Sequence, residues 1–147
     1  MRGVTPDGWQ EYLDPQFGWR IAVPGDWEPV QDRADRVAFR DPRTGAFTRV
    51  DRAEDPLEPL RREPLRAELT YRDLGYRRLK LTPTTYKGQE AVEWEFTYTT
   101  DGTQYHAADL HVLVDDVDYV ISFQAPEVLW PSARPNLERI RNSFEVS

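Results

Sequence analysis

The 147-residue chain predicts an α+β fold, a single domain in which a mainly antiparallel sheet of about six or seven strands carries two main helices. Three observations point there. Several segments alternate apolar and polar residues with period two, and tight-turn dipeptides separate them. Two stretches, near 57–74 and 127–144, switch to a helical period. The length suits one core rather than two, and the absence of cysteine removes any disulfide framework.

Residues 1–16 hold Pro6, Gly8 and Pro15 without sustained periodicity and read as a linker leading into a domain over 17–147. Trp9, Tyr12 and Leu13 still offer contacts with the body. Trp19-Arg20-Ile21-Ala22-Val23 alternates as a strand does, and Pro24-Gly25-Asp26 stops it. Val37 to Arg40 and Phe47 to Arg52 are further short strands around the turn Asp41-Pro42-Arg43-Thr44-Gly45, so these three predict a meander.

Leu57, Leu60, Leu65, Leu69 and Leu74 then predict one amphipathic helix, with Asp55 as its cap and Gly75 as its stop. Pro59 suits a first turn, but Pro64 inside a helix removes a hydrogen bond, so a kink or a start near Pro64 is expected. Tyr76 to Tyr86 reads as a strand bent at Pro83, ended by Lys87-Gly88. Next, Val92, Trp94, Phe96 and Tyr98 alternate with Glu93, Glu95 and Thr97, which predicts one buried and one wet face. Asp101-Gly102 signals a two-residue hairpin to a strand over 105–114. Asp115 to Asp118 is the next turn, and Tyr119 to Gln124 completes the meander. Leu129, Ala133, Leu137, Ile140 and Phe144 form one stripe of the last helix.

Composition excludes several functions. No run approaches the roughly 20 apolar residues of a membrane span, and Met1 to Pro6 lacks the apolar stretch of a signal peptide. A net charge of −7 argues against generic nucleic-acid binding. The absence of cysteine fits reducing and oxidising compartments alike at this size.

Chemistry-bearing motifs are sparse. His106 and His111 are five residues apart on one predicted strand, hence on opposite faces, one packed and one towards solvent, unable to share a metal. The four serines, Ser122, Ser132, Ser143 and Ser147, have no histidine near them in sequence. Asp115, Asp116 and Asp118 lack the glycine and spacing of a calcium loop and read as a solvated turn. Glu93 and Glu95 are about 7 Å apart on one strand face, a spacing open to glycoside hydrolysis but more simply a solvated pair. No cofactor and no metal are expected. Among the five tryptophans, Trp94 reads as core, while Trp19 and Trp27 bracket the first strand and either pack on the sheet or line an apolar groove.

The run Trp19-Arg20-Ile21-Ala22-Val23-Pro24-Gly25-Asp26-Trp27 resembles the opening of a known family, the C-terminal extracytoplasmic domains of actinobacterial serine/threonine protein kinases and related exported proteins. The resemblance continues through Val37 to Pro42, Val50-Asp51, Tyr86-Lys87-Gly88, Ala91 to Phe96, Arg134-Pro135 and Ser143-Phe144, and takes in Pro6 to Trp9 and Asp14-Pro15. It implies a PsbP-like α/β/α sandwich, shared by an extrinsic photosystem subunit, a nuclear-import Ran-binding factor and certain mycobacterial lipoproteins. Members bind partners or small ligands and are generally not enzymes, so no catalytic residues carry over.

The leading expectation is therefore a non-catalytic extracytoplasmic module that binds a ligand or protein, anchored through a segment outside these 147 residues. A stand-alone exported carrier of an apolar small molecule is the alternative, and an undetected hydrolase the third reading. The partner is expected to be a protein, a cell-envelope polymer or a small molecule, without nucleic acid and without membrane insertion by this segment. Charge sharpens this. Residues 1–32 carry −4, residues 33–80 carry +4 and residues 81–147 carry −7. Arg40, Arg49, Arg61 and Arg62, with Trp19 and Trp27, are the candidate binding residues; the charge split reads more simply as two ordinary solvated faces and more sharply as an arginine-bearing side that meets an acidic partner or anionic cell-surface polymer.

Overall fold

The computed structural model describes residues 2–33 and 36–146; Met1 and Ser147, one of the four serines above, lie outside them. In chain order the strands are β1 (Arg2–Val4), β2 (Trp9–Leu13), β3 (Trp19–Pro24), β4 (Glu28–Arg33), β5 (Arg36–Arg40) and β6 (Phe47–Glu54). Helix α1 (Arg62–Ala67) runs into a 3-10 turn at Glu68–Tyr71. Then come β7 (Arg77–Tyr86), β8 (Gln89–Thr100), β9 (Thr103–Val114) and β10 (Val117–Pro126). A 3-10 turn at Glu127–Leu129, helix α2 (Trp130–Ser143) and β11 (Glu145–Val146) finish the chain.

Seven strands form one antiparallel sheet in the order β4-β5-β6-β10-β9-β8-β7, and β1-β2-β3-β11 form a smaller one. Period-two alternation gives the large sheet two faces. Val37, Phe39, Val50, Ala108, Leu110, Val112, Ile121 and Phe123 point to one of them, and pack with Ile21 and Val23 of β3 and Leu137 and Ile140 of α2 in the main core. On the other face Trp94, Phe96, Tyr98 and Ala107 form a second core beneath Ala67, Tyr71, Leu74 and Tyr76. The layers are thus helix, sheet, and helix with small sheet.

Three two-residue turns hold the β7–β10 meander. Asp101-Gly102, Lys87-Gly88 and Asp115-Asp116 all have positive φ at both central positions, as the predicted hairpin chemistry requires.

The structure corrects several expectations. The expected linker over 1–16 is part of the fold within residues 2–16: β1 and β2 join the small sheet, and Gln10 Nε2 donates to the carbonyls of Pro24 (3.0 Å) and Trp27 (2.8 Å). The first predicted strand, β3, leaves the meander for this small sheet, and β4 takes the sheet edge beside β5. Only Arg62–Ala67 of the predicted helix 57–74 is α-helical. Asp55 is left-handed at φ 53° and caps nothing, and Pro64 falls in the first turn, where its missing N–H would be unbonded anyway. Leu65 and Leu69 consequently face solvent. The irregularity in β7 is a register shift between Arg78 and Lys80 rather than a bend at Pro83.

Candidate ligand cleft

The register of the large sheet assembles polar side chains on the face that α1 only partly covers. Arg49 of β6 lies opposite Ser122 of β10, which lies opposite Asp109 of β9, which lies opposite Trp94 of β8. One row along, Arg36 of β5 pairs with Asp51, Asp51 with Val120, and Val120 with His111. With strands about 4.8 Å apart, these rows make a polar floor. Glu63 and Arg66 of α1 wall it, and the open cleft has a volume of about 620 Å³.

Most of its charges are paired. Arg36 Nε and Arg49 Nε donate to the two oxygens of Asp51 at 2.5 and 2.8 Å. Glu63 accepts from the Leu57 N–H (2.6 Å) and from Arg66 (3.0 Å), fixing the segment before α1. The Arg52 guanidinium lies 4.0 Å from the Phe17 ring and donates to Glu54 at 2.9 Å.

The floor is different. His111 Nδ1 is 2.8 Å from Asp118 Oδ2, and both residues are buried. Burial alone would lower the His111 pKa, but the Asp118 hydrogen bond and the charges of Asp118, Asp109 and Glu63 outweigh it, and the net shift is upward. His111 Nε2 and Asp118 Oδ1 have no hydrogen-bond partner among the described residues. Burial pushes the Asp109 carboxyl up as well, against the opposing pull of His111 and Arg49. Ser122 Oγ is buried beside it but outside hydrogen-bond geometry.

Ser122, His111 and Asp118 share one face, yet His111 Nε2 makes no bond to Ser122 Oγ. A serine nucleophile needs that bond for its activation. The described residues contain no group of His, Asp or Glu suited to hold a metal ion.

Of the predicted site residues, Arg49 alone lines this cleft; Arg40, Arg61 and Arg62 stay exposed outside it. Trp19 and Trp27 line no groove. They are 3% and 4% exposed, packed against Tyr12 and Phe144 and against Phe123 respectively. Glu93 and Glu95 are not on a wet face. They lie under α2, where Glu93 binds Lys80 and Arg141 and Glu95 binds His106. His106 and His111 are on opposite faces as expected, but both are buried. The His106 ring stacks on Trp130 at 3.7 Å, and its nitrogens meet Glu95 (2.5 Å) and Glu127 (2.7 Å), clamping the start of α2 to the sheet. Asp118 is a buried partner rather than a solvated turn residue. Sequence spacing did signal the shared face of Asp109 and His111, two apart on β9; nothing in it signalled Ser122 and Arg49 across two further strands.

A wider hollow of about 800 Å³ lies between residues 55–60 and Asp116. Four carboxylates line it, three of them from exposed turns or loops, and it has no buried unpartnered group.

Among curated proteins, no relative matches the sequence. Solved structures do match in fold. Cyanobacterial PsbP (CyanoP) from Synechocystis sp. PCC 6803 superposes with a TM-score of 0.76 at 16% identity, over 99% of this chain and 96% of its own. LpqN of Mycobacterium tuberculosis, a protein involved in cell envelope biogenesis, gives a TM-score of 0.63 at 13% identity, over 100% of this chain and 90% of its own. No helix among the described residues is long and apolar enough to cross a membrane. Residues 12–146 match the family model described as the serine/threonine kinase C-terminal domain, so this chain, with its PsbP-like α/β sandwich, belongs to that family.

Proposed function

We propose that this domain is a non-catalytic sensor of a membrane-anchored serine/threonine kinase, standing outside the cytoplasmic membrane and binding a ligand or partner there. One observation carries the reading. A 620 Å³ cleft, within the usual size range of small-molecule sites, holds a buried histidine whose Nε2 lacks a protein partner. A buried polar atom without a partner costs roughly 1–3 kcal/mol, and a bound group relieves that cost. The family supports the kinase context, and the fold shared with a protein involved in cell envelope biogenesis supports the location.

The test has two arms. In cells of the source organism, a tag on this domain of the full-length protein should react with a membrane-impermeant label. The purified domain should show a raised melting temperature with at least one compound of a screen that spans envelope fragments and small metabolites. A tag that labels only after lysis would overturn the location, and a screen without a single stabilising compound would overturn the binding role.

A further inference from the structure

The cleft floor has an uneven balance of donors and acceptors. Arg36 and Arg49 both spend Nε on Asp51, but the two Nη nitrogens of Arg49 make no hydrogen bond among the described residues. His111 is 5% exposed, its Nδ1 is held by Asp118, and its Nε2 is unpartnered. Arg49, Ser122 and Asp109 sit on three adjacent strands, and His111 is two residues from Asp109 on the same face. The cleft floor thus offers a guanidinium fork, an imidazole nitrogen and a hydroxyl around one space, with the Asp109 carboxyl beside them; the other lining carboxylates, Asp51, Glu54 and Glu63, are tied to arginines.

Other ligand classes fit less well. Sugar binding wants an open aromatic face, but Trp94 is 1% exposed beneath Tyr71 and Tyr76, and Arg52 covers Phe17. An apolar ligand would desolvate Arg49 and Asp109 without compensation. A phosphate dianion would bring two charges against Asp109. A planar monoanion matches the fork of an arginine in two-point contact.

We propose that this cleft binds a small organic carboxylate, with the carboxylate on the Arg49 Nη edge and on His111 Nε2 and with Ser122 and Asp109 beside it. The proposal rests on the binding-module reading above and names its ligand class. Arg49 is attractive in it, as is His111 in its protonated form, which keeps Nδ1–H on Asp118 and presents Nε2–H to the ligand; Asp109 is repulsive, because a second negative charge stands next to the ligand. The two kinds of substitution therefore move affinity in opposite directions, which a loss of fold cannot imitate.

The experiment is a titration of the isotope-labelled chain with acetate, benzoate and lactate, each compared with its uncharged amide, and with inorganic phosphate, read by amide chemical shifts. At least one carboxylate should shift the Asp109, His111 and Ser122 amides saturably, and its amide should not. Arg49→Gln and His111→Gln should each weaken that carboxylate about tenfold or more, as loss of a charged hydrogen bond does. Asp109→Asn should tighten it several-fold, and Arg61→Gln, outside the cleft, should leave it unchanged. No saturable shift up to about 50 mM of any carboxylate, equal binding of acid and amide, or Arg49-dependent binding of phosphate alone would each overturn the proposal. A different compound that stabilises the domain yet ignores Arg49→Gln sinks the carboxylate and leaves the binding module standing. Absence of any ligand in the screen sinks both.

Discussion

Asp118→Asn tests the electrostatics of the cleft floor. The substitution keeps the shape of the side chain and a hydrogen-bond acceptor for His111 Nδ1, but removes a charge that favours the protonated ring. His111 has a folded pKa raised above its ordinary 6.5. Its stabilising contribution is therefore fully present below 6.5 and lost as pH rises through the folded value. In the variant burial is left with less to oppose it, and the ring is driven neutral. Holding it neutral one pH unit below the unfolded pKa costs about 1.4 kcal/mol. The weakened hydrogen bond adds about 1 kcal/mol at any pH. The loss is thus about 1 kcal/mol at a pH above the folded His111 value and at least about 2 kcal/mol near pH 5.5. At roughly 2–4 °C per kcal/mol for a domain of this size, the melting temperature falls by a few degrees and by about twice as much, respectively.

The assay is urea unfolding of both proteins at the two pH values, followed by tryptophan fluorescence. A double-mutant cycle with His111→Gln isolates the pair. On the His111→Gln background, Asp118→Asn should lose its pH dependence. A loss that is equal at both pH values, or larger at the higher one, would refute the assignment of the charge to this pair.

Ile140→Ala should cost about 2–5 kcal/mol, because Ile140 is fully buried between α2 and the sheet; chemical denaturation measures it. Asp109→Asn should raise the melting temperature at neutral pH, since burial disfavours the ionised carboxyl that it removes, and calorimetry against wild type reads the sign. Glu95 is held below the ordinary carboxylate value by the His106 hydrogen bond, so its contribution is present above about 4.5 and disappears as pH falls through the lowered folded value. Acid titration of Glu95→Gln should accordingly show a flatter acid limb than wild type.

Local signals were legible in the sequence where the physics is local. Asp101-Gly102 fixes a hairpin through its own backbone, and Val92 to Tyr98 declares its strand by period alone. Leucine spacing at 57–74 fits a helical period whether or not a helix forms, so the helix is shorter than that spacing predicts; the expected start near Pro64 holds, since α1 begins at Arg62 and Pro64 occupies its first turn. The strands β1 and β2 are three and five residues long, and they are held by Gln10 and Tyr12 contacts to residues beyond them, which no window of local sequence contains. Glu93 and Glu95 read as wet because alternation cannot distinguish water from Arg141 of a distant helix. Arg49, Asp109 and Ser122 are separated in sequence by 60 residues and then 13, and only the strand order β6-β10-β9 places them in one row.

The two halves of one sheet face show what the polar row is for. Around Trp94, Phe96, Tyr98 and Ala107 the face is apolar and covered by Tyr71 and Tyr76. Toward β6 the same face turns to Arg49, Asp51, Asp109, His111 and Ser122, and α1 ends its cover at Ala67. Apolar residues in those positions would extend the second core, and replacement of buried ionic groups by well-packed hydrophobics is often neutral or stabilising. Stability therefore does not account for a buried imidazole with one nitrogen unsatisfied or a carboxyl disfavoured as its anion. Local conflict of this kind belongs to functional sites rather than to the scaffold. In this domain the conflict around His111 and Asp109 lies on the open half of the face, where a ligand has access, whereas on the opposite face beneath α2 the charges of Glu93, Glu95 and His106 are paired and only Arg141 leaves nitrogens unpartnered among the described residues.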